Sequence, residues 1–183
     1  MMKSKEFVDK AKELSTHKTM YIKDCPGVYL TQANKLKYTS NNAFNTQRSG
    51  MIFGATDDTF GLDAIGMVNT LIGERFKNIS DIATVLSDIS KDFSSIEPGE
   101  LVFAGESVGV YIGNAEVITV TAIGVTKVSL DGWKSHGKLA SVDYSFREEV
   151  VPEEKTEDPV KVEEAPHAET KVAVRPSRTG RRH

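Results

Sequence analysis

An α+β fold, with helices first and an antiparallel sheet after them, is what the sequence predicts. Three observations carry that expectation. Apolar residues recur at helical spacing in three stretches ahead of Pro98-Gly99. Beyond that dipeptide the period shortens to that of extended chain, in brief β-branched runs broken by Gly or Asn. The composition, 39% apolar and 27% charged with net charge −3 over 183 residues, fits one ordinary soluble domain plus an appendage.

The first helix is predicted over residues 4–16, where Phe7, Ala11 and Leu14 share a face. Residues 18–60 are polar, rich in Asn and Thr, and too aperiodic to assign. A second helix is predicted over residues 64–75, burying Ile65, Val68, Leu71 and Ile72. A third, over residues 79–92, would set Ile79, Ile82, Val85, Leu86 and Ile89 on one stripe, with Ser80 and Asp81 at its start. Four β-type runs follow: Leu101-Val102-Phe103, residues 108–112, 117–121 and 125–128. Gly113-Asn114-Ala115 supplies the chemistry of a tight hairpin. A last strand near residues 139–144 closes the domain. The result is a set of N-terminal helices packed on a small antiparallel sheet, spanning residues 1–147.

From residue 148 the character changes. Pro152, Pro159, Pro166 and Pro176 are four of the six prolines, and no aromatic residue occurs there. Nine acidic residues face two lysines between Glu148 and Glu169, whereas residues 171–183 carry five basic residues and no acid. Such a segment buries too little apolar surface to offset the entropy of ordering, so residues 148–183 are expected to be an extended tail, disordered unless bound. It reads either as a solvated linker or as a docking arm presenting Arg175, Arg178, Arg181 and Arg182 to a partner.

Several function classes are disfavoured at this level. No run approaches the roughly 20 apolar residues that span a bilayer. The charged start, Met1-Met2-Lys3-Ser4-Lys5-Glu6, has no signal-peptide core. The one cysteine, Cys25, leaves no intrachain disulfide, and its Lys-Asp-Cys-Pro-Gly setting reads as a half-buried thiol at a turn rather than a nucleophile. His17, His136, His167 and His183 are scattered without ligand spacing, so neither a metal nor a cofactor is expected. Up to Arg147 about 16 basic residues balance 17 acidic ones, with no basic stripe for specific nucleic-acid binding.

Four blocks then carry a resemblance. They are Thr59-Phe60-Gly61-Leu62-Asp63-Ala64-Ile65-Gly66, Pro98-Gly99-Glu100-Leu101-Val102, Ser107-Val108-Gly109-Val110-Tyr111-Ile112-Gly113-Asn114, and the closing Trp133…His136-Gly137-Lys138-Leu139. In order and spacing they resemble the NlpC/P60 family of papain-like cysteine peptidoglycan hydrolases, of the phage endolysin type, over residues 18–145. The resemblance implies a nucleophilic cysteine at the first turn of a helix, where free N–H groups and the helix dipole favour a thiolate. It also implies a histidine base on a facing strand and a third polar residue orienting the imidazole.

By resemblance the cysteine position is Ala64, the histidine position Ser107 and the orienting position Thr119. A methyl group is no nucleophile, and a serine without an imidazole is a poor base near neutral pH. Loss at three positions implies a pseudoenzyme. Ala64 alone would suit an engineered trap, but such a trap would keep its histidine. His136 is the other histidine in the folded part beyond the second helix, and it falls in the closing segment rather than at the catalytic position. Asp63 matches an aspartate that contacts the amine of a cell-wall peptide in the family. It reads equally as the cap of the helix starting at Ala64.

The expected function is therefore a catalytically inactive phage virion component, in capsid, neck or tail, that reuses a hydrolase fold for assembly or attachment. Its partners would be other phage structural proteins, through the tail, and peptidoglycan peptide through Asp63. It would reside in the virion, or in the host cytoplasm before lysis. The alternative is an endolysin-type amidase or endopeptidase, either engineered inactive or working with a non-standard catalytic set.

Overall fold

The structure, a computed structural model, describes residues 1–145. Strand β1 (Met2–Lys3) runs into helix α1 (Ser4–Thr16), which turns Phe7, Val8, Ala11 and Leu14 inward. That is the helix expected over residues 4–16, and its buried stripe is that of a helix lying on a sheet.

The aperiodic stretch that follows holds six elements: β2 (Thr19–Tyr21), β3 (Val28–Tyr29), α2 (Gln32–Ser40), α3 (Ala43–Gln47), α4 (Ser49–Gly54) and β4 (Phe60–Leu62). β4 lies at the centre of a small sheet, parallel to β2 and antiparallel to β3. Two of the short helices start from side-chain caps: Thr31 accepts from the Asn34 N–H, and Asn42 from those of Phe44 and Asn45. Asn45 is 1% exposed and ties the loop after β2 to helix α2. It accepts from the Lys23 N–H at 3.0 Å and donates to the Lys23 and Tyr38 carbonyls at 3.0 and 3.2 Å. Ile22, Cys25, Leu30, Tyr38 and Ile52 form a second, small core beside it.

Helix α5 (Ala64–Ile72) begins at Asp63 and stops at Gly73, whose φ of 78° provides the left-handed C-cap. It is shorter than the expected 64–75. Met67, Val68 and Leu71 are buried, while Ile65 and Ile72 are only half-buried.

The third expected helix needs correction. Only α6 (Ile79–Ala83) is helical, and residues Leu86–Ser90 form strand β5. Its cap is Asn78 rather than Ser80 or Asp81; the Asp81 carboxylate instead accepts the Lys77 N–H at 2.8 Å. Ile89 is 61% exposed, not part of a buried stripe. The spacing of Ile82, Val85 and Ile89 is helical, but a ladder to strand β10 (Ser135–Leu139) outweighs it, with Asp88 at φ 52° breaking the helical path.

Past the single 3₁₀ turn at Phe93–Ser95, strands β6 (Leu101–Ala104), β7 (Ser107–Gly113), β8 (Glu116–Thr121) and β9 (Gly124–Ser129) form the expected meander. The full sheet has the order β5-β10-β6-β7-β8-β9, antiparallel throughout. Asn114 and Ala115, at φ 54° and 56°, close the β7–β8 hairpin as a two-residue left-handed turn.

The last strand of this sheet also differs from expectation. It is β10 at Ser135–Leu139, and only Val142–Asp143 (β11) remains of the stretch 139–144, paired in parallel with β1. His136 and Gly137 do not look like strand interior, yet His136 is 3% exposed because both ring nitrogens have partners.

Helices α1 and α5 bury Phe7, Ala11, Met67, Val68 and Leu71 against Val108, Val110 and Ile118 of the sheet. The class is α+β, as expected. Among the described residues no helix is long and apolar enough to cross a membrane. The segment 148–183, with Arg175, Arg178, Arg181 and Arg182, lies outside the described residues.

Candidate binding cleft

A cleft of about 1090 Å³ gathers the residues singled out from the sequence: Asp63, Ala64, Ser107 and Thr119 all line it. The loop ahead of β3 sets the position of Ala64. The Asp63 N–H donates to the Cys25 carbonyl at 3.0 Å, fixing the start of α5 against that loop. Gly66 permits the approach, since a Cβ there would stand 2.2 Å from the Cys25 carbonyl oxygen. Ala64 therefore occupies the first position of a helix whose N-terminus opens on the cleft.

Asp63 caps that helix, accepting the Gly66 N–H at 2.7 Å, and it also lines the cleft. Both readings of Asp63 from the sequence are thus geometrically open to one carboxylate. Burial raises its pKa first, and the neighbouring Asp24 adds to that, against the lowering effect of backbone N–H groups. Asp24 is held in a left-handed conformation (φ 59°), with its carboxylate accepting from the Asn42 side chain at 2.5 Å.

Ser107 is exposed at the start of β7. Thr119 pairs with Gly109 across the β7–β8 ladder, two residues along from Ser107, so the two side chains share one face of the sheet. Thr119 is 5% exposed, and its hydroxyl donates to the Val108 carbonyl at 2.8 Å. Gly109, between them, leaves room for Trp133, whose ring would stand 3.1 Å from a Cβ at that position.

Sequence reasoning missed the rest of the lining. Tyr21, Phe44 and Trp133 give it aromatic walls; Asp24, Glu106 and Asp131 add carboxylates, with Lys23 and Lys77 as cations. Tyr21 and Phe44 meet edge to face at 5.8 Å, and the Arg48 guanidinium lies over both rings. Arg48 also donates to the Tyr21 carbonyl at 3.3 Å and to Ala122 at 3.0 Å, tying the helical wall to the β8–β9 turn. The Tyr21 phenol is raised by burial, then by Asp63 and Asp24. The lone tryptophan, just after Asp131-Gly132, was the one signal in the sequence pointing to this wall.

Among the described residues lining the cleft there is no histidine and no cysteine. Cys25 is fully buried rather than half-buried: its thiol donates to the Gly61 carbonyl at 3.0 Å, and burial raises its pKa. His136 sits inside the sheet, bound to Glu100 and to the Asp92 carbonyl, and does not line the cleft. Among the described residues Ser107 thus has no imidazole beside it in the cleft. Among the described residues no group of three His, Cys, Asp or Glu is placed to hold a metal ion. Chemically the arrangement is one that can hold an extended ligand between aromatic and acidic walls. No protein-family model, curated protein or solved structure matches the chain.

Proposed function

We propose that this chain is a non-hydrolysing protein of the NlpC/P60 type, a bacteriophage virion component in which a cell-wall hydrolase fold serves assembly or attachment. The observation that carries the reading is Ala64. It stands at the first position of α5, at the mouth of the cleft, where the resemblance calls for a thiolate. The absence of histidine and cysteine from the described lining supports the same conclusion, as do the four resembling blocks. Within this reading Asp63 offers a carboxylate to the amine of a cell-wall peptide, and Arg175, Arg178, Arg181 and Arg182 dock the chain on neighbouring structural proteins.

Zymography on Gram-positive cell walls tests the loss of chemistry. The protein is expected to clear nothing, and Ala64→Cys alone is expected to clear nothing either, because no base accompanies the new thiol. Clearing by the unmodified protein that disappears on Ser107→Ala would overturn the reading in favour of an active amidase or endopeptidase. Clearing by Ala64→Cys alone would favour an inactivated endolysin. Mass spectrometry of purified particles tests the structural role, and absence from the particle would sink it.

A further inference from the structure

Outside the cleft lining, two ionisable side chains are buried against each other. Glu100 is 1% exposed and His136 3%, and Nδ1 of His136 meets Oε2 of Glu100. The other imidazole nitrogen, Nε2, lies 2.8 Å from the carbonyl oxygen of Asp92. The other carboxyl oxygen, Oε1, accepts the Glu97 N–H at 3.0 Å. Phe93 covers the imidazole, ring centres 5.1 Å apart. His136 of β10 and Glu100, just ahead of β6, therefore hold both ends of the segment 92–97, which carries the 3₁₀ turn.

Counting protons on these atoms restricts the arrangement. A carbonyl only accepts, so Nε2 must carry a hydrogen. Oε1 serves as the acceptor of the Glu97 N–H, and Nδ1 and Oε2 would otherwise meet as two acceptors. One further hydrogen must then lie between Nδ1 and Oε2, whichever atom it is nearer. Remove it, and a lone pair on Nδ1 faces a carboxylate, or the imidazole gives up Asp92 to keep Glu100. Add a second, and an O–H and an N–H point at each other beside an uncompensated buried charge. Buried groups left in either state are costly.

We propose that Glu100 and His136 form a proton-counted latch, which pins residues 92–97 to the sheet while the pair shares one hydrogen and releases them when that hydrogen is lost or a second arrives. Other charged and titratable groups surround the pair, and one of them also ties Glu97 to the sheet. On β10, Lys138 pairs with Glu97 at 2.9 Å and reaches Asp88 of β5 at 4.0 Å. The Asp92 carboxylate, exposed, accepts the Ser94 N–H at 2.9 Å. The Tyr144 hydroxyl donates to the Gly99 carbonyl at 2.8 Å and accepts the Leu139 N–H at 3.2 Å.

Amide hydrogen exchange of the full chain, corrected for intrinsic rates and followed across pH, reads the latch. Protection of residues 93–97 is expected to peak at one pH and to fall about tenfold or more on each side, while β7 and β8 keep theirs. Glu100→Gln separates the latch from general unfolding. Its amide donates to a neutral Nδ1, so the alkaline fall should vanish and the acid fall remain. Nitrogen-15 shifts of the His136 ring in the unmodified protein give a second measurement that needs no variant. Flat protection across pH, an alkaline fall that persists in Glu100→Gln, or a His136 ring whose Nε2 carries no hydrogen at the protection maximum would each overturn the proposal.

Discussion

The hydroxyl of Thr119 donates to the main-chain carbonyl of Val108 at 2.8 Å, across the ladder that pairs Thr119 with Gly109. The residue that the resemblance sets at the orienting position is thus committed to the sheet's own backbone. Thr119→Val keeps the shape and removes the donor, leaving a buried carbonyl one partner short. A loss of about 1 kcal/mol in unfolding free energy is expected, read as a lower urea midpoint at unchanged slope. An unchanged midpoint would mean that the bond contributes nothing.

Asp63 separates capping from charge. Asp63→Ala removes the acceptor for the Gly66 N–H and is expected to cost about 1 kcal/mol, whereas Asp63→Asn keeps a competent cap. The folded state raises this carboxyl's pKa, chiefly through burial. The proton is therefore held to higher pH folded than unfolded. The associated stability is full below the unfolded value and is lost as pH rises through the folded one. Urea midpoints followed upward from the ordinary aspartate range should show that fall in the unmodified protein and lack it in Asp63→Asn. A parallel pair of curves would refute the assignment.

Gly66 gives a sign reversal. An alanine inside a helix ordinarily gains about 1 kcal/mol over glycine. Here the added Cβ would stand 2.2 Å from the Cys25 carbonyl and within 3.0 Å of Pro26 backbone, both fixed parts of the loop that seats α5. Gly66→Ala is expected to destabilise by roughly 3 kcal/mol or more, measurable as a drop in thermal midpoint. A neutral or stabilising result would show that the Cys25 loop moves freely.

What was legible follows from where the stabilisation lies. The meander and α5 bury apolar faces with a clean period, so Val108, Val110, Ile118, Val68 and Leu71 announce themselves, whereas Met67 is buried where Ile65 and Ile72 were expected. Residues 18–60 do not, because short helices there depend on caps at Thr31 and Asn42 and on the buried amide of Asn45, which leave no periodic trace. β5 was hidden by a helical spacing that only its pairing with β10 overrides. β10 was hidden because His136 is polar until Glu100, 36 positions away in sequence, satisfies it. The cleft divides in the same way. Ala64 and Ser107 were reached through local blocks and Thr119 by its spacing from Ser107, whereas Tyr21, Phe44 and Trp133 come together only through the fold.

Cys25 offers a probe of the small core. The thiol is fully buried among Ile22, Leu30, Tyr38 and Ile52, and it donates to the Gly61 carbonyl at 3.0 Å. Burial raises its pKa, so little thiolate is present near neutrality, and reagent cannot reach what there is. Reaction with an aromatic disulfide should therefore run about a thousandfold or more slower in native buffer than in denaturant. Its rate should rise with any variant that loosens the Cys25 loop, Gly66→Ala foremost, and stay unchanged in Thr119→Val, whose defect lies in the β7–β8 ladder. Prompt labelling of the native protein would place the thiol at the surface and remove the basis for treating this loop as the rigid seat of α5.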